Sequence, residues 1–196
     1  MTRRKVGILI SGRGSNMSAL IEASKVPGYP AEIVGVLSNR AAAGGLAVAQ
    51  GEGIATASLA QSRFPSREMF EDTMTQVLES WEVEIVCLAG FMRILGEDFV
   101  NRWAGRMINI HPSLLPAYRG LDTHARAIAD GVTVHGCSVH FVTPGLDEGP
   151  VILQAQVPVV PGDTPETLSA RVLVEEHRIY PQALAMLCRG EVSLFA

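Results

Sequence analysis

Val6-Gly7-Ile8-Leu9-Ile10-Ser11-Gly12-Arg13-Gly14-Ser15-Asn16 passes from an unbroken apolar run into a glycine turn, then into a helical stretch, Met17 to Ser24. A short continuous apolar run closed by glycine is what a strand buried on both faces of a parallel sheet requires. The same beat recurs. Glu32 to Leu37, Ile54 to Thr56, Glu84 to Ala89 and Arg106 to Ile110 read as further strands. Gly44 to Gly51 is a short alanine-rich helix. Ser66 caps another, whose Phe70, Met74, Val77 and Leu78 fall at i, i+4, i+7 and i+8 on one face. A helix follows around Thr123 to Asp130.

The rhythm then changes. Val134 to Val142 and Val151 to Val159 are β-rich runs with no helix between them, which predicts an antiparallel or mixed extension of the sheet. Pro165 to Cys188 is a long helix with Leu168, Val172, Ile179, Ala183 and Met186 on one side. The expected fold class is α/β: an open, mostly parallel sheet with helices on both faces, Rossmann-like in its N-terminal half. Ligands in such sheets bind outside the carboxyl ends of the strands, where the strand order reverses.

No linker, repeat or low-complexity stretch divides the 196 residues, so one domain, 1–196, is expected. A net charge of -4 gives no general attraction to nucleic acid or an anionic membrane. The longest uncharged apolar run, Ile85 to Met92, is less than half of the ~20 residues a membrane helix needs. Val6 to Ile10 is likewise too short for the apolar core of a signal peptide. Cys87, Cys137 and Cys188 are odd in number and lack C-x-x-C spacing, which argues against a disulfide framework or a zinc knuckle. These features predict a cytoplasmic protein acting on small molecules, without nucleic acid, membrane or metal, as a monomer or homodimer.

The turn Ser11 to Asn16 admits two readings. Amide N–H groups at a helix N-terminus favour an anion such as phosphate, and Ser15 and Asn16 add side-chain donors. A plain structural turn fits equally well. A dinucleotide fingerprint does not, because Met17 stands at its third glycine and strand two ends Leu37-Ser38-Asn39-Arg40 without an acid. No nicotinamide or flavin is expected.

Asn109-Ile110-His111-Pro112-Ser113-Leu114-Leu115-Pro116 lies at the end of a predicted strand. Asn109 and His111 are two residues apart, so both side chains point to one face. Pro112 and Pro116 stiffen the loop beyond. Asp147, in the loop Leu146-Asp147-Glu148-Gly149-Pro150, could orient or charge the imidazole, although spacing alone does not bring the two together. An amide donor, a titratable ring and an acid suit acyl transfer. Of the other histidines, His135 and His140 flank a strand as packing or solvent-facing residues, His124 starts a helix, and His177 is expected at the surface.

With these residues assembled, the chain resembles the phosphoribosylglycinamide formyltransferases, a folate-dependent family of purine synthesis. The carrying segments are Ile10 to Asn16, Leu88 to Leu95, Asn109 to Pro116, His135 to Val142 and Gly149 to Gln154. The resemblance implies the formyltransferase fold and transfer of a formyl group from 10-formyltetrahydrofolate, the co-substrate, to the amino group of glycinamide ribonucleotide. It implies a catalytic trio of Asn109, His111 and Asp147. Gly14, Ser15, Asn16 and Glu176 match ribonucleotide contacts. Arg67, Met92, Arg93, Ile94, Leu95, Asn109, Thr143 and Asp147 match folate contacts. The N-terminal half, about 1–105, would carry the phosphate turn, and the C-terminal half, about 106–196, the trio.

Two positions have competing readings. Glu176 sits among apolar residues of the last helix, where a carboxylate is either partnered or functional. Arg67 could pair with the folate carboxylate or be a solvated first-turn arginine. Asp122 stands where a histidine is common in the family, in an untypical Tyr118 to Asp122 loop. Methionyl-tRNA formyltransferase would need an RNA-binding C-terminal domain, and formyltetrahydrofolate hydrolase an N-terminal regulatory one. Neither is expected here. The alternatives are 10-formyltetrahydrofolate hydrolase and a non-catalytic phosphate-ligand binding module.

Overall fold

A computed structural model describes residues 2–195. Five strands, β1 (Arg4–Ile10), β2 (Ala31–Ser38), β3 (Ala55–Ser58), β4 (Ile85–Leu88) and β5 (Met107–His111), run parallel in the order β3-β2-β1-β4-β5. β6 (Val134–Phe141) then pairs antiparallel with β5, and β7 (Val151–Pro158) antiparallel with β6. The mixed extension expected from the helix-free C-terminal runs is therefore present. Strand order reverses about β1, which has β2 on one side and β4 on the other. That places the switch point beside the Ser11 to Asn16 turn.

Helices cover both faces. On one side α1 (Ser15–Ser24), α2 (Gly44–Gly51) and α6 (Pro165–Cys188) bury Met17, Leu20, Leu46, Val172 and Ile179 against the sheet. On the other, α3 (Arg67–Ser80) and α4 (Glu97–Arg102) bury Phe70, Met74, Leu78, Phe99 and Trp103. The short α5 (Thr123–Ala129) follows the histidine loop. Ser66 caps α3 by accepting the Met69 N–H, and Thr164 and Thr167 form a reciprocal capping box at α6 with Pro165 in its first turn.

Three local differences have simple causes. β3 lies one residue later than its apolar signal, because its register on β2 and not its hydrophobicity fixes it as an edge strand. α4 has only six residues, too few for a periodic pattern to register. His177 is half-buried, with Nε2 enclosed and unpartnered, rather than at the surface.

Among the described residues, no helix is long and apolar enough to cross a membrane.

Candidate active site

β5 delivers Asn109 and His111 to one face, as the two-residue spacing requires. His111 is 5% exposed, and its ring is fixed from two directions. Nε2 donates to the Tyr118 carbonyl at 2.9 Å, and Nδ1 faces Asp147 Oδ2 at 3.4 Å. Both nitrogens thus meet oxygens that only accept, and a doubly protonated ring satisfies both. The loop from Val142 to Pro150 folds back over the sheet to bring Asp147 there. It does so on a left-handed backbone at Asp147, φ 51°, a conformation Asp tolerates better than most residues. Asp147 Oδ2 also accepts the Gly120 N–H at 2.9 Å, and Arg119 pairs with Glu148 at 2.9 Å. Gly149 closes the loop base: a Cβ there would lie 1.7 Å from the Phe141 carbonyl oxygen and 3.4 Å from the Thr143 methyl. Thr143 is thereby placed in the same loop as Asp147.

His140 also belongs to this site, which overturns its reading as a packing or solvent-facing residue. It stands directly across the β5–β6 ladder from Asn109. Its Nδ1 donates to the Phe141 carbonyl at 2.8 Å, so Nε2 must accept, and it faces Asn109 Nδ2 at 3.2 Å. Burial pushes its pKa down, outweighing the Phe141 bond and nearby Asp147. A neutral His140 therefore sets the direction of the Asn109 amide. The antiparallel partner of a catalytic-strand residue was the available signal, but it needs the register.

Behind the trio, His124 and His135 pack edge-to-face, ring centroids 5.2 Å apart. Burial holds His124 below its usual pKa, and burial, then the charge of His124, pushes His135 down to about 4. The Pro112 carbonyl accepts from the Thr123 hydroxyl at 2.7 Å. A further network immobilises the loop after His111. Ser138 Oγ donates to the Ser113 carbonyl at 2.6 Å and accepts from the Leu115 N–H and the Gln154 amide, at 3.0 and 2.9 Å.

The glycine turn follows β1. Gly14 (φ 74°) occupies the N-cap of α1 with no side-chain cap, leaving the first amides of the helix free of internal partners. A Cβ on Gly14 would lie 3.3 Å from the Gly45 Cα, and Gly45 donates to the Gly12 carbonyl at 3.1 Å, so α2 braces the turn. Ser15 is exposed and Asn16 half-buried. Asn16 Nδ2 donates to Glu176 Oε2 at 2.7 Å, joining residues 160 positions apart, while Asn16 Oδ1 is enclosed without a partner. Glu176 is 8% exposed. Burial raises its pKa and the Asn16 bond lowers it, with burial the larger effect. The odd carboxylate of α6 is thus partnered, by a side chain of the glycine turn.

Met92, Arg93 and Ile94 are exposed and Leu95 half-buried in an irregular segment beyond β4, the strand beside β5. Arg67, at the start of α3, approaches this segment where it ends: a Cβ on Gly96 would lie 3.3 Å from Arg67 Nε. Arg67 is half exposed and 3.9 Å from Glu71. Asp122, also in the left-handed region at φ 56°, is exposed at the N-cap of α5 and outside the trio. Among the described residues, no group of three or more His, Cys, Asp or Glu side chains is arranged to hold a metal.

Comparison with known proteins identifies relatives over nearly the whole chain. The formyl transferase family profile matches residues 4–184. The phosphoribosylglycinamide formyltransferase of Escherichia coli (strain K12) is 48% identical over 187 residues, spanning 95% of this chain and 88% of its own. The crystal structure of the phosphoribosylglycinamide formyltransferase from Brucella melitensis is 52% identical with a TM-score of 0.93, over 97% of this chain and 98% of that one. The trifunctional purine biosynthetic protein adenosine-3 of Homo sapiens is 48% identical over 192 residues, and the chain spans 19% of that protein's length. The chain belongs to the formyl transferase family, among the phosphoribosylglycinamide formyltransferases.

Proposed function

We propose that the protein transfers the formyl group of 10-formyltetrahydrofolate to the amino group of glycinamide ribonucleotide, a step of purine synthesis. The observation that carries this reading is His111, held between the Tyr118 carbonyl and Asp147 with the oriented Asn109 amide beside it. The ribonucleotide phosphate sits on the amides of Gly14, Ser15 and Asn16 at the start of α1, and Glu176 takes the sugar or glycinamide end. The folate lies along Met92 to Leu95 and Thr143. Exposed apolar side chains at Met92, Ile94 and Leu146 suit a flat ring system, and Arg67 suits its anionic tail.

The substrate amine attacks the formyl carbon and the carbonyl oxygen becomes negative. Asn109 donates one amide N–H to it and His111 its Nδ1–H. At 3.4 Å that N–H is not committed to a tight charge-assisted bond with Asp147, which would measure about 2.7–2.9 Å. Preorganised donors of this kind are each worth ~10²–10³ in rate. The amine proton leaves through water to Asp147, and the oxyanion re-forms its carbonyl as the bond to the folate nitrogen breaks, with that nitrogen taking the proton from Asp147 by the same water.

Incubation with both substrates, following loss of the formyl donor, tests the reading. Turnover that requires the ribonucleotide is expected. Donor loss without it would assign a hydrolase, and no loss with or without it would sink the enzyme assignment.

A further inference from the structure

The Met92–Leu95 segment has no regular backbone hydrogen bonding of its own, yet each end is tied to a side chain from elsewhere. At its start the Met92 N–H donates to Ser11 Oγ at 2.8 Å, and that hydroxyl donates to Asn39 Oδ1 at 2.6 Å. Just past its end, the Gly96 N–H donates to Glu71 Oε1 at 2.7 Å. Glu71 projects from α3 and is 6% exposed, although its nearest cation, Arg67, lies 3.9 Å away. A carboxylate buried at such cost, raised in pKa by that burial, calls for a purpose beyond packing. The site is also built around it. Gly96 is buried, and a Cβ there would stand 2.6 Å from Glu71 Oε2, so a larger residue would push the carboxylate out of its present place.

We infer that Glu71 is a positioning residue for the folate donor, fixing the far end of the Met92–Leu95 segment and, one helical turn away, the direction of the Arg67 guanidinium. One carboxylate thereby sets two separate parts of the donor site relative to each other. Ser11 does the same at the near end, from the strand that also carries the phosphate turn. The inference rests on the proposed folate site.

Steady-state kinetics of E71A, E71Q and G96A, each checked for native circular dichroism, test it. E71A is expected to raise KM for 10-formyltetrahydrofolate at least tenfold, leaving kcat and the ribonucleotide KM within threefold. E71Q keeps an oxygen for the Gly96 N–H and should stay within threefold of the parent on all three constants. G96A displaces the carboxylate from the other side and should reproduce E71A, which keeps the test alive if E71A does not fold. An unchanged folate KM in E71A or G96A, an equal rise in both KM values, or an E71Q as impaired as E71A would overturn the assignment. R67A and I94D report on the folate site itself: if neither moves the folate KM, that reading fails independently of Glu71.

Discussion

Asp147 Oδ2 faces His111 Nδ1 at 3.4 Å and is at the same time the acceptor for the Gly120 N–H at 2.9 Å. The carboxylate is therefore aimed by the loop that follows His111, the loop whose Tyr118 carbonyl also holds the other ring nitrogen. Imidazole and acid are positioned by one segment. Asp147→Asn preserves size and one acceptor for Gly120 but removes the anion that faces the ring and the base that takes the amine proton. We expect kcat to fall ~10²–10³-fold, the scale of losing one oxyanion donor. Ribonucleotide affinity, measured by calorimetry, should change less than threefold, because Asn16 and Glu176 are untouched.

The same geometry makes Gly149 a sensitive position remote from the chemistry. A methyl group there would overlap the Phe141 carbonyl at 1.7 Å, which no side-chain rotation relieves. Gly149→Ala must shift the base of the loop, and Asp147 with it. A misplacement of about 1 Å costs on the order of 10²-fold in rate. The expected result is a kcat at least tenfold lower with a ribonucleotide KM close to the parent's. A parental kcat would mean the loop adapts without moving Asp147.

How far the site was legible depended on which groups build it. The Val6 to Asn16 passage and the change of rhythm after Asp130 were enough for the sheet, because burial on both faces and the loss of intervening helices both leave marks in composition. Asn109 and His111 were legible together through their two-residue spacing on a strand. The Tyr118 carbonyl and Gly120 amide were not, since a backbone group has no residue type to read. His140 and Glu71 were missed for a different reason. Each gains its role only from a partner across the fold, Asn109 through the β5–β6 register and Gly96 through the packing of α3. Glu176 showed the opposite case: a charge among apolar helix positions announced itself, although its partner Asn16 did not.

The histidines behind the trio predict an acid-sensitive fold. His135 has its pKa pushed down to about 4, against an ordinary value of about 6.5, so the folded state favours the neutral ring. Its contribution is fully present above about pH 6.5 and is lost as the pH falls from there towards 4, on the order of 3 kcal/mol over that window. His124 and His140, also lowered, act in the same sense. Glu71 and Glu176, raised by burial, act in the opposite one. The comparison of variant and parent isolates His135. Urea midpoints of His135→Gln, which keeps a polar side chain but removes the titratable ring, should fall less between pH 7 and pH 5 than those of the parent. Equal slopes would show that His135 takes up its proton as readily in the folded protein as in the unfolded chain, and would overturn the lowered pKa.

Tyr180 offers a stability prediction separated from catalysis. Its hydroxyl is fully buried beneath the sheet and donates to the Leu88 carbonyl at 2.8 Å and the Ile108 carbonyl at 3.1 Å. These carbonyls belong to β4 and β5, the strands that lead into the Met92–Leu95 segment and His111. Tyr180→Phe keeps the ring and its packing but removes the shared donor from two buried acceptors. Leaving such groups unsatisfied costs about 1–3 kcal/mol. The urea midpoint should drop accordingly with an unchanged m-value, since the surface exposed on unfolding is nearly the same. At 25 °C, well below the transition, both KM values and kcat should stay within twofold of the parent. A loss of kcat without loss of stability would instead mean that the hydroxyl tunes the spacing of β4 and β5, and with it the seat of His111.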